Sequence, residues 1–204
     1  MLLKAATRLW RCYAQEGNHP GRWDQFRTFG PLASARFDPQ PLPPGESSRG
    51  VIYLALDIPT AIAETFQGTR TINRFRREPW LVGLDLARDV SLLDLGGGWP
   101  TRAGASQAIN SGRKDHARSW AVAIYEEYDR LDGILYPASM LGSIRDAAGK
   151  PASDGRGVAL FERATNAVPR SPAQHHPLSH PGLTVALDRI AIQIGYRLLE
   201  LPVR

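Results

Sequence analysis

Glu64 is the side chain with the clearest room for chemistry. In the stretch GVIYLALDIPTAIAETF, residues 50–66, helical spacing puts Ile58, Ile62 and Phe66 on one face. Ala61, Glu64, Thr65 and Gly68 fall on a neighbouring face of small residues. A carboxylate bordered by small side chains lets a ligand or a backbone approach, although a helix glutamate taken alone is most often simply solvated. Arginines are the next candidates: Arg11 alternates with Trp10 and Cys12 in RLWRCY, and Arg36 stands beside Phe37 in the short island ASARFD. Either could hold an anion, while lone arginines are commonly surface charges. Tyr53 and Ser139 bring hydroxyls, one inside an apolar run and one at the end of GILYPAS. Two further patterns fall short. Gly96, Gly97 and Gly98 precede a helical stretch like a phosphate cradle, but lack both the P-loop lysine and the dinucleotide spacing. His175, His176 and His180 share a breaker-rich loop with no carboxylate or cysteine nearby to complete a metal site.

The elements around these residues follow from patterning. Residues 51–56, VIYLAL, make a strand-length apolar run, Asp57 suits a helix N-cap, and Pro59 is tolerated in a first turn, so a strand passes directly into the helix that carries Glu64. Residues 8–13 read as an opening strand with Leu9, Arg11 and Tyr13 on one side. Residues 17–50 are dense in proline and glycine and read as a long loop, uncommon in a compact domain unless it covers a site or is mobile. Further strands are expected at 79–84, 90–95, 133–139 and 157–162, a helix at 115–131 stopped by Gly133, and a polar loop at 144–156. In the tail, Ile190, Ile192 and Ile194 alternate as in a strand, and the residues around Leu198 could be helical. The expected class is α+β: one domain with mostly short strands, two or three helices and long loops.

Composition sets the outer limits. A chain of 204 residues with 43% hydrophobic and 22% charged residues suits one soluble globular domain. No apolar run approaches the roughly 20 residues needed to span a bilayer, and the polar residues in MLLKAATRLWRCYA argue against a secretory leader, so a cytoplasmic protein is expected. One cysteine, Cys12, excludes an internal disulfide and reads as a small packed side chain. The net charge of +5 has two readings: a surface for nucleic acid, or sites for the phosphates of a small ligand or for an acidic partner. The densest basic run, RTINRFRR at 70–77, reads as a solvated face.

Taken together, LWRCY, ARFDP, VIYLALDIPTAIAET, and DGILYPAS followed by VALFE resemble the RES domain, the toxin half of a bacterial toxin–antitoxin pair. The resemblance covers about residues 8–165 and rests on the order and spacing of four segments. It implies one RES-like domain over 1–204 with a C-terminal extension at 168–204, small mixed sheets flanked by helices, and a fold similar to ADP-ribosyltransferases. It also implies NAD as substrate rather than cofactor, no metal, and no membrane. The implied partner is a small helix-turn-helix antitoxin of Xre type, with DNA contacted only through that complex. The family's two arginines map to Arg11 and Arg36, its tyrosine to Tyr53, its glutamate to Glu64 and its serine to Ser139. The Pro-rich segment at 39–50 and the tail beyond 167 depart from the shorter members.

On this resemblance, splitting nicotinamide from ribose leaves positive charge on the sugar, which Glu64 would stabilise. The leaving group departs neutral, so no general acid is required. Arg11 and Arg36 would grip the pyrophosphate, while Tyr53 and Ser139 would orient the nicotinamide or ribose. Water, phosphate or a protein could be the acceptor. The alternatives are a protein ADP-ribosyltransferase toxin, or a non-enzymatic basic module that binds nucleic acid or an acidic partner.

Overall fold

The structure is a computed structural model that describes residues 1–138 and 155–199. Its strands are β1 (Leu2–Leu3), β2 (Arg8–Ala14), β3 (Arg27–Gly30), β4 (Gly45–Ala55), β5 (Thr71–Asn73), β6 (Pro79–Asp85), β7 (Val90–Asp94), β8 (Gly133–Pro137), β9 (Arg156–Phe161), β10 (Gln174–Pro177) and β11 (Arg197–Leu199). The helices are α1 (Ile58–Phe66), α2 (Trp99–Arg102), α3 (Ala108–Ser111), α4 (Lys114–Glu127) and α5 (Thr184–Ile194). The architecture is mixed α+β, with sheets flanked by helices. Nine strands share one sheet in the order β1-β7-β8-β9-β4-β2-β6-β10, with β3 on β4, while β11 and β5 pair in parallel as a second sheet.

The large sheet is two sheets held by a narrow seam. β2 and β6 pair along seven residues, and β4 and β9 along five. β2 and β4 share one registered pair, Trp10 with Ala55. Three hydrophobic clusters follow from this. One packs Leu9, Ile52, Leu54, Leu84 and Leu160 across a common face of both halves. On the opposite face, α4 covers the β8–β9–β4 half through Ala117, Ala121 and Ile124. There α1 and α5 cover the β2–β6 half through Ile62, Ala63, Leu187 and Ala191. The alternation expected of β2 is present: Leu9 belongs to the first cluster, while Trp10 and Cys12 pack against the third.

Helix α1 begins as its sequence dictates, with Asp57 accepting a hydrogen bond from the Thr60 amide at 2.7 Å. Other expectations are corrected. Residues 17–50 are not all loop: β3 and the first half of β4 lie within them, and the polar GESSR segment of β4 hides its strand character because it is largely solvent-facing. The alternating isoleucines of the tail are helical. Leu187, Ala191 and Ile194 are the buried positions of α5, at helical spacing, and Ile192 is 75% exposed. Gly195 ends α5 in the left-handed conformation at φ 68°, and Leu198 then lies in strand β11 rather than in a helix. His175 and His176 sit on β10, not in a loop. Helix α4 stops at Glu127, and Gly133 opens β8 instead of capping α4. Arg156, assigned to the polar loop from the sequence, starts β9. Among the described residues no helix is long and apolar enough to cross a membrane.

Two glycines make space for large rings. A Cβ on Gly83 would lie 2.8 Å from the Trp10 ring, and one on Gly157 would lie 2.3 Å from the Tyr136 ring. Both rings therefore rest directly on neighbouring backbone. Gly83→Ala and Gly157→Ala are each expected to lower the unfolding free energy by about 1–3 kcal/mol through overpacking. Urea denaturation measures this, and unchanged midpoints would show that the rings can relocate freely.

Candidate functional site

A cavity of about 670 Å³ opens where the sheet divides. Trp10, Arg11 and Cys12 of β2, Tyr53, Leu54 and Ala55 of β4, and Ala61, Glu64, Thr65 and Gly68 of α1 line it. The small-residue face read from the sequence is thus the face that α1 turns to the cavity. The volume lies within the range of ligand pockets for molecules of drug or cofactor size. Among the described residues its charged lining is one-sided: Arg11, Arg27, Arg36 and Lys114 against the single carboxylate of Glu64.

Burial pushes the Glu64 carboxyl above its ordinary range, while the nearby charges of Arg36 and Lys114 pull it back down. Arg36 is shifted the other way: desolvation lowers it, and Glu64, Tyr136 and Tyr53 oppose that shift. The Arg36 guanidinium is anchored through Nη1, which donates to the Gly112 carbonyl at 2.7 Å. Arg11 is held more tightly. Its Nη1 donates to the carbonyls of Arg22, Trp23 and Gln25 at 2.8, 3.1 and 3.4 Å, and burial draws its pKa down to about 10, still cationic at neutral pH.

Tyr53 contributes to the cavity wall, and its hydroxyl is fully engaged elsewhere. It donates to Asp38 Oδ1 at 2.7 Å and accepts from the Phe37 amide at 3.0 Å. Asp38 is completely buried, and it also accepts from Arg27 Nη2 at 2.5 Å and from the Leu32 amide at 2.7 Å. From the other side, Lys114 Nζ donates to the Ser34 carbonyl at 2.6 Å, and Arg118 Nη1 to Ala35 at 3.0 Å. The segment bearing Arg36 is therefore tied to β4 through a buried carboxylate and to α4 through two cations. Three donors on Asp38 offset the cost of burying its charge.

Of the five site residues expected from sequence, Arg11, Arg36, Tyr53 and Glu64 line this one cavity. Ser139 lies outside the described residues. Sequence reasoning passed over Lys114, Tyr136, Asn110, Arg27 and Asp38. Tyr136 looked like one more apolar residue of GILYP, yet it lines the cavity with its ring on Phe37 at 4.7 Å. Burial, reinforced by Glu64, raises its phenol strongly, so it stays protonated. Asp38 was visible in the ARFDP segment, but its partners come from three separate stretches of chain.

The other sequence candidates are structural. Gly96 donates its amide to Asp94 Oδ1 at 2.8 Å in a turn before the four-residue α2, and none of the three glycines lines the cavity. His175 Nε2 pairs with the Tyr13 hydroxyl at 2.7 Å, and His180 Nδ1 accepts from the Gly182 amide at 3.1 Å. Among the described residues no group of three or more His, Cys, Asp or Glu could hold a metal ion. The basic run at 70–77 is not a uniform solvated face: Arg74 is 5% exposed, and its guanidinium donates to the carbonyls of Leu178 at 2.7 Å and His180 at 3.0 Å.

No curated protein matches the sequence. Among solved structures, a chain of the M. tuberculosis MbcT-MbcA toxin-antitoxin complex is similar, with a TM-score of 0.54 at 19% identity over 85% of each chain, a likeness of fold. The RES domain family model matches residues 8–184, which takes in every described element lining the cavity. On that match the chain belongs to the RES domain family.

Proposed function

We propose that the protein is the toxin of a toxin–antitoxin pair and that it consumes NAD by breaking the nicotinamide–ribose bond. One observation carries this reading: among the described residues a single, partly buried carboxylate, Glu64, faces a cavity whose other charged lining residues are all cations. Family membership and the fold likeness to a toxin–antitoxin complex support it. We take the whole chain as one RES-like domain of ADP-ribosyltransferase type, with a helix-turn-helix antitoxin as partner and DNA reached only through that complex.

The chemistry follows from charge placement. As the bond to ribose breaks, its electron pair leaves with nicotinamide, which departs neutral, and positive charge grows on the ribose carbon and ring oxygen. On this reading the Glu64 carboxylate stabilises that charge, and its partial burial, in a setting poorer in water than the surface, strengthens the effect. Arg36, Lys114, Arg27 and Arg11 together would supply the field for a pyrophosphate. The Tyr53 and Tyr136 rings offer apolar walls for a flat base. Water or phosphate then adds to the ribose carbon from the opened side. A protein acceptor would make the same site an ADP-ribosyltransferase. Nucleic-acid binding by the 70–77 run is disfavoured by the burial of Arg74.

Purified protein is expected to release nicotinamide from NAD, and Glu64→Gln to lower the rate at least about 100-fold. Retained activity in that variant would remove Glu64 from the mechanism. Because folding raises the Glu64 pKa, the carboxylate form costs stability as pH rises through the folded value. Glu64→Gln should therefore be at least as stable as wild type at neutral pH, which separates lost chemistry from lost fold. Activity should fall as pH drops through the raised Glu64 pKa, giving an acid limb above the ordinary value of 4.5. Arg36→Met removes a cation that lowers that pKa, so it should move the limb higher and also raise KM. Tyr53→Phe keeps the ring but takes one donor from Asp38; a thermal unfolding midpoint lowered by several degrees, with a raised KM, is expected. Product analysis with and without phosphate identifies the acceptor.

A further inference from the structure

Tyr136 is 6% exposed, yet it lines the cavity, and its hydroxyl is neither hydrogen-bonded among the described residues nor sealed from solvent. The sheet aims it. Tyr136 of β8, Gly157 of β9, Ala55 of β4 and Trp10 of β2 stand in register as one row that crosses the seam, so their side chains share a face. A Cβ on Gly157 would lie 2.5 Å from the Tyr136 hydroxyl, so the ring leans out of β8 and across β9 towards Ala55, with its polar tip leading. Gly157 and Ala55 are small enough to leave that direction open, and Ala55 is itself a cavity residue. Phe37 backs the ring, with centroids 4.7 Å apart. Glu64 and Arg36, from two other walls of the cavity, both act electrostatically on the phenol. Polar groups at this depth normally find a partner, and the open side of this one is the cavity.

We propose that the Tyr136 hydroxyl donates a hydrogen bond to a ribose hydroxyl in the nicotinamide half of the bound dinucleotide, which makes Tyr136 a further substrate-binding residue. This rests on the NAD reading of the cavity. On that reading Glu64 faces the ribose whose bond breaks and Arg36 faces the pyrophosphate, and the phenol has both as neighbours. The polar groups of NAD between those two points are oxygens of the nicotinamide ribose. Its ring oxygen gains positive charge as nicotinamide leaves and is then a poor acceptor, whereas the 2′ and 3′ hydroxyls stay neutral. Burial and Glu64 keep the phenol protonated, so it is the donor of the pair. A ribose held from a strand keeps its reacting carbon turned to Glu64, an orientation that lowers the barrier.

The test compares kcat/KM for NAD and for its analogues lacking the 2′ or the 3′ hydroxyl of the nicotinamide ribose, using wild type and Tyr136→Phe. Tyr136→Phe is expected to lower kcat/KM for NAD about ten-fold, while the analogue without the contacted hydroxyl is turned over equally by both proteins. That analogue identifies the hydroxyl that Tyr136 meets. A purely structural Tyr136 would lower all three values by one factor, and an idle hydroxyl would lower none; either result overturns the proposal. Folding is read separately by urea denaturation. The substitution removes an unpaired hydroxyl and keeps the ring on Phe37, so the midpoint is expected to match or exceed that of wild type. A lowered midpoint would reveal a partner for the hydroxyl inside the protein and overturns the proposal as well. Wild type that releases no nicotinamide from NAD refutes the NAD reading itself, a result distinct from all of these.

Discussion

The single registered pair between β2 and β4, Trp10 with Ala55, is the constraint on which the rest of the structure depends. Continuous pairing there would make one closed surface with no room for a ligand. Separation of the two halves would instead expose the backbone groups of both strands to water. One pair holds the halves in a common sheet, and beyond it the strands diverge. Helix α1 lies beside that gap, and Thr65 Oγ1 donates to the Cys12 carbonyl on β2 at 3.3 Å. The helix that flanks the gap also carries Glu64, so the carboxylate belongs to a wall of the cavity rather than to a surface.

The electrostatics of the site depend on two carboxylates with opposite circumstances. Asp38 is buried completely and surrounded by donors, and it acts as a knot joining Arg27, Tyr53 and the Leu32 amide. Glu64 is partly buried, and among the described residues only the distant fields of Arg36 and Lys114 oppose its desolvation. An acid with little local solvation is one whose charge remains available to a ligand. The knot at Asp38 fixes where Arg36 stands, and Arg36 in turn tunes Glu64. On the proposed mechanism, positioning and reactivity are thus divided between two carboxylates.

The strand-to-helix unit of β4 and α1 was legible because its signals are local: an apolar run, an N-cap aspartate and a face of small residues act within a few positions of one another. Glu64 stood out through helical spacing beside small residues, whereas Tyr53, Arg36 and Arg11 gained their roles through the order of family segments. Asp38 escaped notice because its role arises from partners in separate stretches of chain, which a residue pattern does not encode. The tail misled for a different reason. Isoleucines at alternate positions satisfy a strand template, but Leu187, Ala191 and Ile194 satisfy a helical one over the same residues, and packing on α1 decided between them. The polar start of β4 was obscured because exposed strand residues carry no hydrophobic alternation.

The pairing of β11 with β5 has a consequence in time. β5 follows α1 closely, and the Tyr196 hydroxyl donates to the Ala63 carbonyl, one residue before Glu64, across 133 positions of chain. During synthesis the ribosome delivers Glu64 and its cavity neighbours on β4 long before it delivers α5 and β11. Until then Ile62 and Ala63 lack the cover that Leu187, Ala191 and Tyr196 supply. The helix that bears the carboxylate is thus secured only once α5 and β11 have emerged, and a nascent chain that lacks them stays a poor copy of the finished site.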